Sequence, residues 1–240
     1  RRTAELKMHG IEMDPLEASK EEYELTPSTY RFMNESAKVM ISGLFEFVPS
    51  VFPEFRVLKT SDKWLLIRNY HRSFFFIDAS LRIQRRRRQL GVNKFVSYTT
   101  YFSLETVDTF FSDCPDPSNC RAAIETGMSI FLEHFPRMRK QFIELKPTEE
   151  ELHALLGLAF WSVENLDLDD GILLLATRYR TEIIAELTAH YRRTNGHEKG
   201  AARIGMLLCL LQDIRRAELS LNADGELLRM LGAFDDETVT

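Results

Sequence analysis

FPEFRVLKTSDKWLLIR, running from Phe52 to Arg68, is the stretch on which the reading of this chain turns. A helical apolar pattern leads up to Phe52, and Pro53 stops it, because proline lacks an N–H and restricts the residue before it. Ser61-Asp62 then reads as a fresh N-cap. The stretch is a corner between two helices. Phe55 and Leu58 are spaced to plug a core there, and Trp64, Leu65 and Ile67 begin the next buried face.

Upstream of the corner, Tyr30, Met33, Ala37, Met40, Ile41, Leu44 and Val48 recur at helical spacing. They follow Thr26-Pro27, a cap with proline at a first helical position. Residues 1–25 are polar, with apolar residues too sparse to define a face, and read as a linker with room for one short helix. Downstream, a helix is expected from about Ser61 past Arg82. Its middle, Ser73 to Ala79, is apolar on nearly all sides through Phe74, Phe75, Phe76 and Ile77. A helix of that kind lies at the centre of a domain with helices on both faces, which predicts three layers.

Lys94 to Phe102, KFVSYTTYF, is β-branched and aromatic and reads as a short hairpin, the only sheet expected. A short helix near Leu104 to Phe111, a loop around Cys114 to Cys120 and a helix over about Arg121 to Phe135 follow. Pro147-Thr148 opens a helix carrying Leu152, Leu155, Leu156, Leu158, Ala159 and Phe160, and a loop over Asn165 to Asp170 precedes a long helix to about Arg193, ended by Asn195-Gly196. The last helix is expected over Lys199 to Leu219, bent at Asn222 to Gly225, with Glu226 to Phe234 completing the fold. The fold class is all-α, with about nine to eleven helices and one small β-hairpin.

Composition narrows the classes. The 240 residues include 44% hydrophobic ones but no run near the ~18 apolar residues a membrane span needs, so no membrane partner is expected. A net charge of −5 gives no reason for this chain to bind a phosphate backbone. Three cysteines, Cys114, Cys120 and Cys209, are too few and wrongly spaced for a zinc module, and a reducing compartment fits them best. The start at Arg1-Arg2 suggests a piece of a longer protein.

These residues resemble the ligand-binding domain of nuclear receptors. The family signature Ile-Pro-x-Phe-x-x-Leu, then Asp-Gln-x-x-Leu-Leu, is met here by Phe52-Pro53-Glu54-Phe55, Leu58, Asp62-Lys63 and Leu66-Ile67, without a gap. Arg203-Ile204-Gly205-Met206-Leu207-Leu208 through Leu211 to Ile214-Arg215 is similar to the family's tenth helix, and Thr148-Glu149-Glu150-Glu151-Leu152 with Leu155 to its eighth. The three matches span roughly Pro27 to Phe234 in the family's order. The Tyr30 to Val48 helix, with its Met and Phe, also resembles the divergent receptors that nematodes carry in large numbers.

The resemblance implies a three-layer antiparallel α-helical sandwich over residues 26–240, preceded by a linker, in a nuclear transcription factor whose DNA contact is made by an upstream zinc domain. It implies a small lipophilic ligand, a fatty acid being favoured, and a polar anchor at Arg82, twenty residues after Asp62. A guanidinium offers a planar fork of donors suited to a carboxylate. The alternatives for Arg82 are a pair with Asp78 or an exposed head to the basic run Arg85 to Arg88. The implied pocket wall is Met33, Ala37, Met40, Ile41 and Leu44 with Phe75, Phe76 and Ala79, residues that otherwise read as plain core.

A coactivator or corepressor helix would dock on Ser50, Val51, Lys59, Lys63, Ile67 and Arg68. Ser50 stands where the family places a clamping lysine, and Phe234 to Thr240 does not fit the family's final Glu-bearing helix. The three cations are otherwise a solvated face. Glu151 and Arg203 would form a packing ion pair, and Ile204, Leu207, Leu208 and Leu211 a seam for a homo- or heterodimer. Leu152 to Leu156 and Leu207 to Leu211 satisfy Leu-x-x-Leu-Leu themselves but read as core.

Two further readings remain: an orphan domain with a filled pocket, acting as repressor or dimerisation module, and an all-helical Mg²⁺-dependent prenyl-diphosphate enzyme built on Asp167, Asp169, Asp170 and Asp235 to Glu237. Against the enzyme, those acids suit loops and caps, and the six histidines show no metal spacing. No catalytic residue, metal or cofactor is expected.

Overall fold

The computed structural model describes residues 2–11, 25–85, 94–115, 136–138, 140–194 and 197–230. The helix expected over 121–135, the basic residues 86–88, the Asn195-Gly196 stop and the tail from 231 lie outside these residues. The chain divides into two compact units. The first holds Arg1–Pro53, Arg85–Met128 and Ala223–Thr240, and the second holds Glu54–Gln84 and Ser129–Asn222.

In the first unit, helix α1 (Arg2–Met8) occupies part of the segment read as linker. Strand β1 (Thr26–Pro27) stands where the sequence suggested a helix cap. Its backbone is already committed, because the Thr26 N–H donates to the Thr99 carbonyl at 3.2 Å and the Ser28 N–H to the Tyr101 carbonyl at 2.8 Å. The cap of helix α2 (Tyr30–Val51) therefore falls later, at Thr29, whose hydroxyl accepts from the Phe32 N–H at 3.2 Å. Strands β2 (Lys94–Phe95) and β3 (Thr100–Phe102) pair antiparallel, and β1 adds in parallel to β3. The expected hairpin is thus two strands of a three-stranded sheet, ordered β1-β3-β2. After a 3-10 turn, Leu104–Thr106, helix α4 (Val107–Phe111) supplies Phe110 and Phe111 to a core shared with Tyr30, Phe102 and Cys114. Met33, Val96 and Val107 pack against it. Cys114 is disulfide-bonded, a bond the sequence reading did not anticipate.

The second unit begins at Glu54, within the corner, a 3-10 turn at Pro53–Val57. Phe55 is its plug: 1% exposed, edge-on to Phe160 at 6.0 Å. Phe160 in turn meets Tyr70 at 5.1 Å and Trp161 at 4.8 Å, also edge-on, so the corner closes on an aromatic cluster. Helix α3 (Thr60–Arg85) starts slightly before the expected cap: the Lys63 N–H already donates to the Lys59 carbonyl at 3.0 Å, so Ser61 and Asp62 lie inside its first turn. Leu66, Ile67, Tyr70, Ser73 and Ile77 form its most deeply buried stripe. Trp64, expected in that face, is 48% exposed, because it precedes Leu66 by two residues and so points about 200° away around the helix. From residue 69 to residue 82 no side chain is exposed, which matches the centrally placed helix that its apolar circumference required.

Residues 140–145 are helical and end at Lys146, whose φ of 44° is the left-handed turn of a helix stop. Helix α5 (Glu149–Phe160) follows, then α6 (Asp170–Thr194), which the Asp169 carboxylate opens by accepting the Ile172 N–H at 3.0 Å. That capping role accounts for one of the acids considered as a metal ligand. Helix α7 is His197–Met230, so the backbone at Asn222 to Gly225, where a bend was expected, is helical. A single glycine costs a helix only about 1 kcal/mol, less than breaking its hydrogen-bond ladder.

Candidate functional site

Glu151 is the polar centre of the second unit. Thr148 and Glu151 form a capping box at the start of α5: the Thr148 hydroxyl accepts from the Glu151 N–H at 3.3 Å and the Glu151 carboxylate accepts from the Thr148 N–H at 2.8 Å. The same carboxylate receives both arms of Arg203 from α7, Nε at 2.7 Å and Nη2 at 2.8 Å, and the hydroxyl of Tyr191 from α6. Arg203 also donates to the Lys146 carbonyl at 3.3 Å. With its side chain only 2% exposed, Glu151 is pushed toward protonation by burial, yet the hydrogen bonds from Arg203, Tyr191 and Thr148 outweigh this and hold its carboxyl below the usual range. Burial and the neighbouring carboxylate raise Tyr191. The sequence named Glu151 and Arg203 but missed Tyr191, whose place in an apolar helical row signals only core.

A second buried network joins α3 to α7. Glu218 accepts from the Ser73 hydroxyl at 2.7 Å and from Arg215 at 2.7 Å, Arg215 also donates to Asn69 at 3.1 Å, and Asn69 donates to the Ser162 carbonyl at 2.9 Å. Burial dominates here, so the Glu218 carboxyl is raised even beside Arg215. Both networks consist of saturated ion pairs between packed helices, an arrangement that specifies helix register and offers no reacting group.

On α3, Arg82 lies 3.0 Å from Asp78, one turn back, and the two side chains are 12% and 15% exposed. Of the alternatives open to Arg82, the pair with Asp78 is therefore formed. Phe76 and Ala79 are buried and Phe75 half-buried. On α2, Met40 and Leu44 are buried, while Met33, Ala37 and Ile41 are half-buried. Met33 belongs to the packing around Tyr30, Phe102 and Phe110.

The family pattern for the ligand-binding domain of nuclear hormone receptor matches residues 19–231. The chain belongs to this family. No curated protein matches it. The fold class is the all-α helical-sandwich class of nuclear hormone receptor ligand-binding domains, with a small sheet. Such domains take ligands, coregulators and dimer partners, and the family is typically non-enzymatic. Among the described residues, no helix is long and apolar enough to cross a membrane.

The residues that the nuclear-receptor resemblance assigned to a coregulator groove divide by environment. Ser50 and Val51, at the end of α2, are exposed, and the Ser50 hydroxyl donates to the Phe47 carbonyl at 2.6 Å. Lys59 and Arg68 are exposed. The Lys63 ammonium donates to the Arg56 carbonyl at 2.7 Å and lies 6.0 Å from the Phe55 ring centroid. Ile67 is fully buried, a correction to its placement in the groove: it sits one residue after Leu66 in the core stripe. Val57 and Trp64, not assigned to the groove, are the large apolar residues that the second unit exposes near these cations in sequence.

The proposed dimer seam needs the same sorting. Leu207 and Leu211 are buried and belong to the core, whereas Ile204 and Leu208 are half-buried. The outward face of α7 carries Ala202, Met206, Cys209 and Leu219, with Cys209 a free thiol. Helical periodicity identifies both stripes in advance but not which one faces the protein.

Proposed function

We propose that residues 26–240 form a non-catalytic receptor domain of a nuclear transcription factor, with residues 1–25 leading into it, that senses a small lipophilic ligand and passes the signal to coregulators. A fatty-acid-like carboxylate is the favoured ligand class, anchored by Arg82 beside Phe75, Phe76 and Ala79 of the same helix. The observation that carries this reading is a guanidinium only 12% exposed at the end of a helical stretch, residues 69–82, without an exposed side chain, in a nuclear hormone receptor ligand-binding domain. A buried cation is costly unless paired, and a ligand carboxylate would share it with Asp78. Coregulator docking would use the exposed cations Lys59 and Arg68, and dimerisation the outer face of α7 with Ile204 and Leu208. Ligand binding would act by biasing the position of a C-terminal helix.

The Arg82–Asp78 pair also favours a second reading, in which that pair and the bulky phenylalanines complete the interior and the domain works as a ligand-independent repressor or dimerisation module. Native mass spectrometry of protein purified from cells distinguishes the two. A co-purifying lipid that is lost in Arg82→Ala supports the sensor. A lipid-free wild-type protein at full stability supports the orphan.

A further inference from the structure

Glu5 is fully buried although it lies in a seven-residue helix whose neighbours Lys7, Met8 and His9 are exposed. Its carboxylate accepts from the Ser36 hydroxyl of α2 at 2.7 Å, from the Tyr98 N–H at 2.8 Å, and from the Thr99 N–H and hydroxyl at 3.2 Å each. Two of these donors are the backbone amides of the turn between β2 and β3. That turn is further gathered around Ser97, whose hydroxyl oxygen accepts from the Thr99 and Thr100 N–H groups at 3.1 Å each. His9 adds a contact to the Thr99 hydroxyl at 3.1 Å and stacks on Phe32 of α2 at 4.3 Å. Gly10, at a φ of 73°, stops α1, and the Ile11 N–H returns to the Leu6 carbonyl at 2.9 Å.

The turn held by Glu5 is also the support of β1. Thr99 and Tyr101 supply the carbonyls that bind Thr26 and Ser28, and those residues lead directly into the Thr29 cap of α2. A carboxylate in residue 5 is thereby connected through one turn to the start of α2, and all of these contacts lie within the first unit. Residues 2–11 precede the span that the family pattern matches, so the family assignment gives them no role.

We propose that α1 is a detachable latch, whose Glu5 carboxylate holds the turn over residues 96–99 and, through it, β1 and the cap of α2. A helix of seven residues has no stability of its own in water, so α1 persists only while docked. Among its described side chains only Glu5 and Leu6 are buried, so undocking costs less than global unfolding and proceeds as a local opening. Undocking removes the acceptor for Tyr98 and Thr99 and loosens the sheet, leaving the centre of α2 in place. The latch makes order at the sheet conditional on the segment ahead of the receptor core.

Hydrogen exchange of the full 240-residue chain, followed by mass spectrometry, tests this. In wild type, peptides covering residues 2–11 and 96–101 should open together, and faster than residues 40–48 of α2. Glu5→Ala should speed exchange across 96–101 and 26–28 at least a hundredfold, with residues 40–48 changed less than threefold. Ser36→Ala, which deletes one donor to the charged group and leaves the helix intact, should speed the same turn about tenfold. If Glu5→Ala does not fold, Ser36→Ala and Gly10→Ala, which strains the stop of α1, carry the test. An unchanged turn in the folded variants, or acceleration of residues 40–48 in step with the turn, overturns the latch.

Discussion

Removing Arg203 is the most informative single perturbation of this domain. Arg203→Ala deletes two charge-assisted hydrogen bonds, at 2.7 and 2.8 Å, from a carboxylate that is 2% exposed, while leaving Thr148 and Tyr191 still donating to it. Breaking a buried pair from one side costs about 3–5 kcal/mol, mostly as the penalty of the charge left behind. With a urea m-value of about 3 kcal/mol per M, the unfolding midpoint should fall by about 1–1.7 M at pH 7. Arg203→Lys keeps the charge but loses the fork, and should cost about 1–2 kcal/mol.

The pH dependence gives the sharper check. In wild type the Glu151 carboxyl lies below its ordinary value, so its contribution is present above the unfolded carboxyl range and is lost as pH falls through the depressed folded value. Without Arg203, burial acts with one opposing donor fewer, and Glu151 takes up a proton at higher pH. The wild-type advantage should therefore be largest at pH 7 and shrink from about pH 5 downward. Urea titrations read by fluorescence of the buried Trp161 at pH 7 and pH 4.5 would measure it. A loss below about 1 kcal/mol at pH 7, or one equal at both pH values, would refute the claim that a buried charge pair locks α5 to α7.

Three further outcomes follow from local geometry. A Cβ at Gly200 would lie 2.6 Å from Tyr191 Cβ, so Gly200→Ala should destabilise by about 1–3 kcal/mol despite its better helix propensity, whereas Gly205→Ala, with open space around it, should stabilise by about 1 kcal/mol; thermal denaturation of both variants separates clash from propensity. His71 is held down to about 4 by burial and then by Arg72, while its Nδ1 donates to the Arg68 carbonyl at 2.6 Å; the unfolded chain takes up this proton first as pH falls, so stability from His71 is lost between about pH 6.5 and 4, and an NMR titration should place the imidazole midpoint near 4. Glu54, held down to about 2 chiefly by the Tyr179 hydroxyl and also by Arg178, should titrate closer to an ordinary glutamate in Tyr179→Phe, as seen by carboxyl NMR.

Features that act over one helical turn were legible in the chain before any fold was known. The helix start at Pro147-Thr148 and the largely apolar middle of α3 each depend on residues close together in the chain. Thr26-Pro27 shows where such reasoning fails. Its local chemistry suits a helix start as well as a strand, and only the Thr99 and Tyr101 carbonyls, more than seventy positions on, commit its backbone to a sheet. Trp64 fails for a different reason: its apolar character suggested the interior, but it lies about 200° around the helix from Leu66, on the side that faces out.

The sequence by itself determined that this chain is helical, where its central helix runs, and, through the corner at Phe52 to Arg68 with two further motifs, that it resembles a nuclear receptor ligand-binding domain. The tertiary structure decided which side of each helix became interior: Leu207 and Leu211 inward, Met206 and Cys209 outward, and Ile67 in the core. It also decided the partners of the buried charges, Tyr191 for Glu151 from 40 positions away and the Thr99 amide for Glu5 from 94. Periodicity and caps are local, so a sequence states them directly. The partner of a buried carboxylate is set by where helices cross, and that depends on the packing of the whole interior.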